Sequence, residues 1–201
     1  RIIVLDRIYD AFIERFTAAA ATLRVKPATD PACDVPPVID QESFTRLTDT
    51  IKRFDAKLEC LYKGDAPCEG YYIAPHIYAC ADPEHRIMQD ELFGPIAAVY
   101  RAKDLDEALR VANNTRYALT GAMYSRTPSH LERARAEFDV GNLYLNRGTT
   151  GAIVSRQPFG GHRLSGAGTK AGGPGYLLNF TDPKTATENT ARHGFSPDIS
   201  T

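Results

Sequence analysis

This sequence predicts an α/β fold, a sheet containing parallel pairs with helices packed on it, and three observations carry that prediction. Short β-type apolar runs alternate with stretches whose apolar residues recur at helical spacing. Aspartates stand where several of the helical stretches begin, as N-cap residues should. Proline- and glycine-rich stretches interrupt the pattern and mark the turns between elements.

Taken in order, "RIIVL" at residues 1–5 is a strand, and Asp6 is expected to cap a helix whose Ile8, Phe12, Phe16 and Leu23 share a face. "KPATDPACDVPPV" forces a loop, because proline fixes φ and removes a backbone donor. Asp40 then caps a second helix carrying Phe44, Leu47, Ile51 and Phe54. "AKLECLY" and "YYIAPHIYACA" read as strands around the turn "KGDAPCEG". The strand "IAAVYRA" leads into the helix "DLDEALRVANNT", where Asp104 and Glu107 have capping-box spacing. "ALTGAMYS", "PSHLERARAEF" and "VGNLYLN" complete a strand, a helix and a strand. Alternation of this kind favours parallel pairing through right-handed crossovers. From Arg147 onward helical periodicity gives way to loop chemistry, with a late strand expected around "YLLNF" and "KTATENT".

Composition narrows the function classes. The 201 residues include 24 basic and 25 acidic side chains, a formal charge of -1 with no basic stripe, so nothing favours nucleic acid or an anionic membrane as partner. No apolar run approaches the length of a bilayer span, and the first residues lack a cleavable signal pattern. An intracellular protein is the expectation. Cys33, Cys60, Cys68 and Cys80 show no zinc-ligand spacing, so no metal is expected and reduced, partly buried thiols are the default. The five histidines are scattered and read as surface or packing residues.

The glycine-dense run "QPFGGHRLSGAG" at 157–168 implies either φ > 0 turns or a close approach to the main chain. "GAGTKA" at 166–171 matches a dinucleotide fingerprint in letters alone, since no strand delivers it to a helix N-terminus. "GHRLSGAG" has Ala167 where a phosphate-binding loop needs lysine.

Other motifs agree with one another. "ELFGP" at 91–95 stands just before a strand, and Leu145-Asn146 is followed after eleven residues by "PFGG" at 158–161 and "SG" at 165–166. With "DLDEALRVANNTRYALTGAMYS" between them, these resemble the aldehyde dehydrogenase superfamily from Arg1 almost to the end of the chain. "TTGAIVSRQPFGG" and "SGAGTKAGGPGYLLNF" further resemble its 1-pyrroline-5-carboxylate branch, the glutamate γ-semialdehyde dehydrogenases, which use NAD to form glutamate in proline catabolism.

That resemblance implies an open, mostly parallel sheet flanked by helices over residues 1–165, and a tail over 166–201 with an oligomerisation strand. It implies that Glu91 accepts hydrogen bonds from the nicotinamide ribose hydroxyls of NAD and that Phe93 packs against the nicotinamide. Bare N–H groups near Gly151 and Ala152 would hold the carboxylate of glutamate γ-semialdehyde, and Phe159 would pack on its aliphatic body, with Gly160 and Gly161 keeping Cβ atoms out of the pocket. Asn146 either fixes this loop by side-chain-to-backbone bonds or is plain turn chemistry. Arg147 either adds positive potential near the carboxylate or is likewise turn chemistry.

The chemistry also needs a nucleophilic thiolate and a base, and none of the four cysteines has the family's nucleophile context. The resemblance places the thiol just upstream of Arg1, and the base and a cofactor-binding Rossmann half further upstream. The expectation is therefore the catalytic-domain portion of a longer cytoplasmic or mitochondrial-matrix enzyme, inactive alone, with the missing Rossmann half and further copies of itself as partners. The alternatives are a non-catalytic binding or assembly module and a dehydrogenase for another semialdehyde.

Overall fold

A computed structural model describes residues 1–149, 153 and 155–189. The elements are β1 (Ile2–Leu5), α1 (Tyr9–Ala20), α2 (Gln41–Asp55), β2 (Glu59–Lys63), β3 (His76–Ala79), α3 (Arg86–Gln89), β4 (Ile96–Ala102), α4 (Leu105–Asn113), β5 (Tyr117–Ala118), β6 (Thr120–Met123), α5 (Pro128–Glu137), β7 (Asn142–Leu145) and β8 (His162–Arg163). A central sheet has the order β1-β4-β3-β2. β4 is paired in parallel with both β1 and β3, whereas β2 joins the β3 edge antiparallel. β6 and β7 form a second parallel pair, and β5 and β8 a short antiparallel one. The α/β class with mainly parallel pairing is as the sequence predicts.

Strand alternation sorts the core onto the two faces of the central sheet. Ile3, Leu5, Tyr78, Ala98, Tyr100 and Ala102 pack with α2, while Ile2, Val4, Ile77, Ala97 and Val99 pack with α1. Because β4 is covered on both sides, its sequence reads as one nearly continuous apolar run. Leu47, Ile51 and Phe54 form the buried stripe of α2, and the Phe54 ring meets Tyr78 edge-on at 5.8 Å. The Tyr78 hydroxyl donates to Asp55 Oδ1 at 2.7 Å, so burying that ring leaves its polar tip satisfied.

The caps behave as expected at two helices. Asp40 Oδ1 accepts from the Ser43 amide at 2.7 Å and Asp104 Oδ1 from the Glu107 amide at 2.8 Å. Glu107 reaches back one residue further than a capping box requires, accepting from the Lys103 amide at 2.8 Å. Three sequence expectations are corrected. Asp6 caps nothing: it begins a 3₁₀ turn and pairs with Arg101 of β4 at 2.8 Å, so the long-range cation takes the carboxylate that the helix start would have used. Leu23 lies beyond the end of α1 and is exposed, and Ile8 is exposed as well, so the buried face runs through Tyr9, Phe12, Ile13, Phe16 and Ala20. "YLLNF" is a 3₁₀ helix, Tyr176–Phe180, because consecutive turns from Gly173 and Gly175 supply its hydrogen bonds and no strand pairs with it among the described residues. Residues 184–189 carry no regular structure. Among the described residues no helix is long and apolar enough to cross a membrane.

Candidate active site

Helix α2 positions the "ELFGP" segment. Arg46 Nη1 donates to the Leu92 carbonyl at 2.9 Å, and Leu92 is buried. A Cβ on Gly94 would stand 2.8 Å from Leu47 Cδ2, so only glycine lets the segment lie this close to the helix. Held on both sides in this way, Phe93 adopts φ 54°, a left-handed conformation that is an outlier for a bulky residue, and its ring is 75% exposed. Strain of this kind persists only where the surroundings over-determine it, and here it drives an aromatic ring outward rather than into the core. Glu91 is exposed beside it, and its carboxylate has no hydrogen bond or ion pair among the described residues. A carboxylate next to an outward aromatic pairs a hydrogen-bond acceptor with a flat apolar face, a combination that fits a ribose diol and a heteroaromatic ring.

The second half of the site is the "PFGG" segment, and its glycines answer the close-approach question raised by the sequence. A Cβ on Gly161 would meet the Ala118 carbonyl of β5 at 2.6 Å, and one on Gly141, just before β7, would overlap the Gly160 carbonyl at 2.1 Å. Main chain therefore packs directly on main chain at this point, which explains the bareness more directly than the need for an empty pocket. Phe159 forms a two-bond antiparallel bridge with Ala171, its amide donating to the Ala171 carbonyl at 3.0 Å and its carbonyl accepting from the Ala171 amide at 2.9 Å. Asn142 of β7 holds the other side, donating from Nδ2 to the Pro158 carbonyl at 2.9 Å and accepting at Oδ1 from the Gly160 amide at 3.1 Å. Lys170 Nζ also donates to the Gly141 carbonyl. Phe159 itself is half-buried.

Asn146 makes its side-chain-to-backbone bonds to Ser125. At φ 54° its side chain accepts from the Ser125 amide at 2.8 Å and donates to the Ser125 carbonyl at 3.0 Å, tying the end of β7 to the end of β6. Arg147 lies over the Tyr144 ring at 5.2 Å. Gly151 and Ala152 fall outside the described residues. Nearby, Asp139 is gripped by His162 Nε2 at 2.7 Å and by Arg163, which together hold its carboxyl below the usual carboxylate range.

Glu91 and Phe93 make no hydrogen bond or ring contact with Phe159 among the described residues, yet both segments are anchored to the same stretch after α4. Gln89 donates to the Asn114 carbonyl, Arg116 pairs with Asp90 at 3.7 Å, and the Leu164 amide donates to the Arg116 carbonyl. Arg163 adds bonds to the carbonyls of Asn113 and Thr115. Sequence reasoning missed Asn142, Gly141 and Lys170. The available signal was a lone amide side chain inside the apolar strand "NLYL".

Cys33, Cys60 and Cys80 donate to the carbonyls of Lys26, Tyr62 and Asp82, and burial pushes the Cys60 and Cys80 thiols up, away from the reactive thiolate. Among the described residues no cluster of three His, Cys, Asp or Glu side chains is placed to hold a metal ion.

The aldehyde dehydrogenase family matches residues 1–186. A 1-pyrroline-5-carboxylate dehydrogenase of Geobacillus sp. (strain WCH70) is 45% identical over 190 residues, covering 94% of this chain and 37% of the relative. The chain thus spans less than two fifths of the length of such curated relatives. Among solved structures, proline utilization A from Bdellovibrio bacteriovorus matches 98% of this chain and 20% of its own, with a TM-score of 0.88 at 45% identity. A 1-pyrroline-5-carboxylate dehydrogenase from Thermus with bound NAD matches 89% of this chain and 34% of its own, with a TM-score of 0.83 at 44% identity. By its matched length and its fold, the chain belongs to the aldehyde dehydrogenase family.

Proposed function

We propose that this chain is part of an NAD-dependent dehydrogenase that oxidises L-glutamate γ-semialdehyde, the open form of 1-pyrroline-5-carboxylate, to L-glutamate. The observation that carries the reading is the doubly clamped Pro158–Gly160 segment, which presents Phe159 from a fixed backbone, in a chain whose relatives are named for that substrate. In this proposal residues 1–165 form the catalytic-domain portion and 166–201 a tail that docks onto other parts of the assembly.

Glu91 would accept hydrogen bonds from the ribose hydroxyls of NAD, and Phe93 would lie against the nicotinamide. NAD supplies the hydride acceptor when bound. At the other end of the substrate, the amides of Gly151 and Ala152 would bind the carboxylate by charge-assisted hydrogen bonds, each worth about 1.5–3 kcal/mol. Phe159 would cover the methylene chain, exclude water and fix the direction in which the aldehyde points. The thiol that attacks the aldehyde and the base that activates water would be supplied by the rest of a longer enzyme, since this chain covers 37% of a relative named for that reaction. The whole enzyme would act in the cytoplasm, or in a mitochondrial matrix.

One observation favours a second reading, a non-catalytic assembly module. Leu177, Leu178 and Phe180 are 75%, 69% and 70% exposed in consecutive turns of the tail, a surface suited to a protein partner. Turnover separates the two. The full-length protein should form NADH from glutamate semialdehyde and NAD, and the 201-residue chain alone should form none. A full-length protein without turnover would leave the assembly reading, and turnover by the chain alone would refute the assignment of the nucleophile.

A further inference from the structure

We propose that Asn142 is the positioning residue for Phe159 and thereby sets the fit of the substrate's methylene chain, an inference that rests on the dehydrogenase reading above. Its carboxamide acts as a single peptide group laid along the loop. Nδ2–H donates to the Pro158 carbonyl at 2.9 Å and Oδ1 accepts from the Gly160 amide at 3.1 Å, so the two bonds bracket Phe159. The opposite side of Phe159 is already taken by its two bonds to Ala171. The main chain around one aromatic ring is thus fixed from both sides, and Asn142 is the only side chain in that arrangement among these bonds.

The side chain can do this because its own backbone is anchored. The Asn142 amide donates to the Leu119 carbonyl at 2.9 Å, and Asn142 is in register with Thr120 of β6. Gly141 before it admits the Gly160 carbonyl where no Cβ would fit. Near neutral pH an amide supplies both the donor and the acceptor the loop requires, which an ionised carboxylate of the same size does not. A carboxylate keeps the acceptor but turns a second oxygen on the Pro158 carbonyl, whereas a protonated carboxyl restores the donor. That difference separates positioning from bulk.

The test uses the full-length enzyme with Asn142→Asp and Asn142→Leu. Asn142→Leu should raise KM for glutamate semialdehyde about ten-fold or more with a smaller change in kcat, the effect of a misplaced binding wall. Asn142→Asp should show the same loss near neutral pH, and its KM relative to wild type should recover as the pH is lowered. The Gly160 amide should exchange with solvent faster in Asn142→Leu. Wild-type KM in both variants, a fall confined to kcat, or an Asn142→Asp defect unaffected by pH would overturn the proposal. If the wild-type enzyme leaves glutamate semialdehyde untouched, the dehydrogenase reading fails by itself. Gly160 exchange then decides the clamp: faster exchange in Asn142→Leu retains it, and unchanged exchange overturns it.

Discussion

The central sheet and the segment from Ser155 to Asn189 are held together by different physics. In the first, Leu47, Tyr78 and Val111 are completely buried, and strands exchange regular ladders. In the second no described residue is buried, and order comes from glycine-enabled backbone contact, the Phe159 bridge and the polar clamp of Asn142. Apolar burial stabilises a fold broadly, whereas a few directed bonds fix one segment in one place. A substrate wall benefits from the second kind of order, because its position matters more than its contribution to global stability.

Substitutions can break this contrast, and the largest effect is expected in the sheet. Leu47→Ala removes a fully buried side chain that also supports Gly94, and should cost about 2–5 kcal/mol in a urea titration. Gly141→Ala places a methyl group on the Gly160 carbonyl. Its predicted signature is local: the amides of Phe159, Gly160 and Ala171 lose protection from hydrogen exchange while those of β4 keep theirs. A global loss equal to that of Leu47→Ala would erase the distinction between the two regions. Asp104→Ala removes the cap of α4 and should lower stability by about 1 kcal/mol.

Buried polarity in the sheet gives a pH-dependent check. His76 is buried, its Nδ1 bonds the Ala74 carbonyl at 2.7 Å, and its Nε2 has no hydrogen-bond partner among the described residues. Burial holds its pKa below the ordinary value of 6.5, with Lys63 opposing protonation and Asp55 favouring it. The unfolded chain therefore binds this proton first. Stability is free of this term above about pH 6.5 and falls as the pH drops below it. His76→Phe should flatten that part of the stability profile. The smallest stability effect belongs to the tail: Leu178→Ser with Phe180→Ser should leave the urea midpoint within about 0.5 kcal/mol of wild type yet reduce self-association.

How legible each region was follows from the same contrast. Strand β4 could be read as a short, nearly continuous apolar run, and helices α2 and α4 by the period of 3.6 that one-sided burial imposes on their residues. Asp6 was misread because its partner, Arg101, comes from a strand far along the chain, and no local pattern announces such a pair. "YLLNF" has strand-like composition, but the adjacent glycines offer turns and, among the described residues, no strand competes for its backbone. "ELFGP" and "PFGG" were recognisable by resemblance, while the reason for their shape was not. The Phe93 conformation depends on Leu47 and Arg46, and the Phe159 clamp on an asparagine that alternation alone would turn to solvent.

The most direct test of the account is the ratio of kcat/KM for glutamate semialdehyde to that for pentanal, a five-carbon aldehyde without the amino-acid head, measured with the full-length protein and NAD. A wall that pairs bare amides with a carboxylate predicts a preference of about a hundred-fold or more for glutamate semialdehyde, since an aldehyde lacking that group leaves the site's donors unpaired. A ratio near one would mean that the proposed amides of Gly151 and Ala152 do not recognise the carboxylate, and would contradict the account.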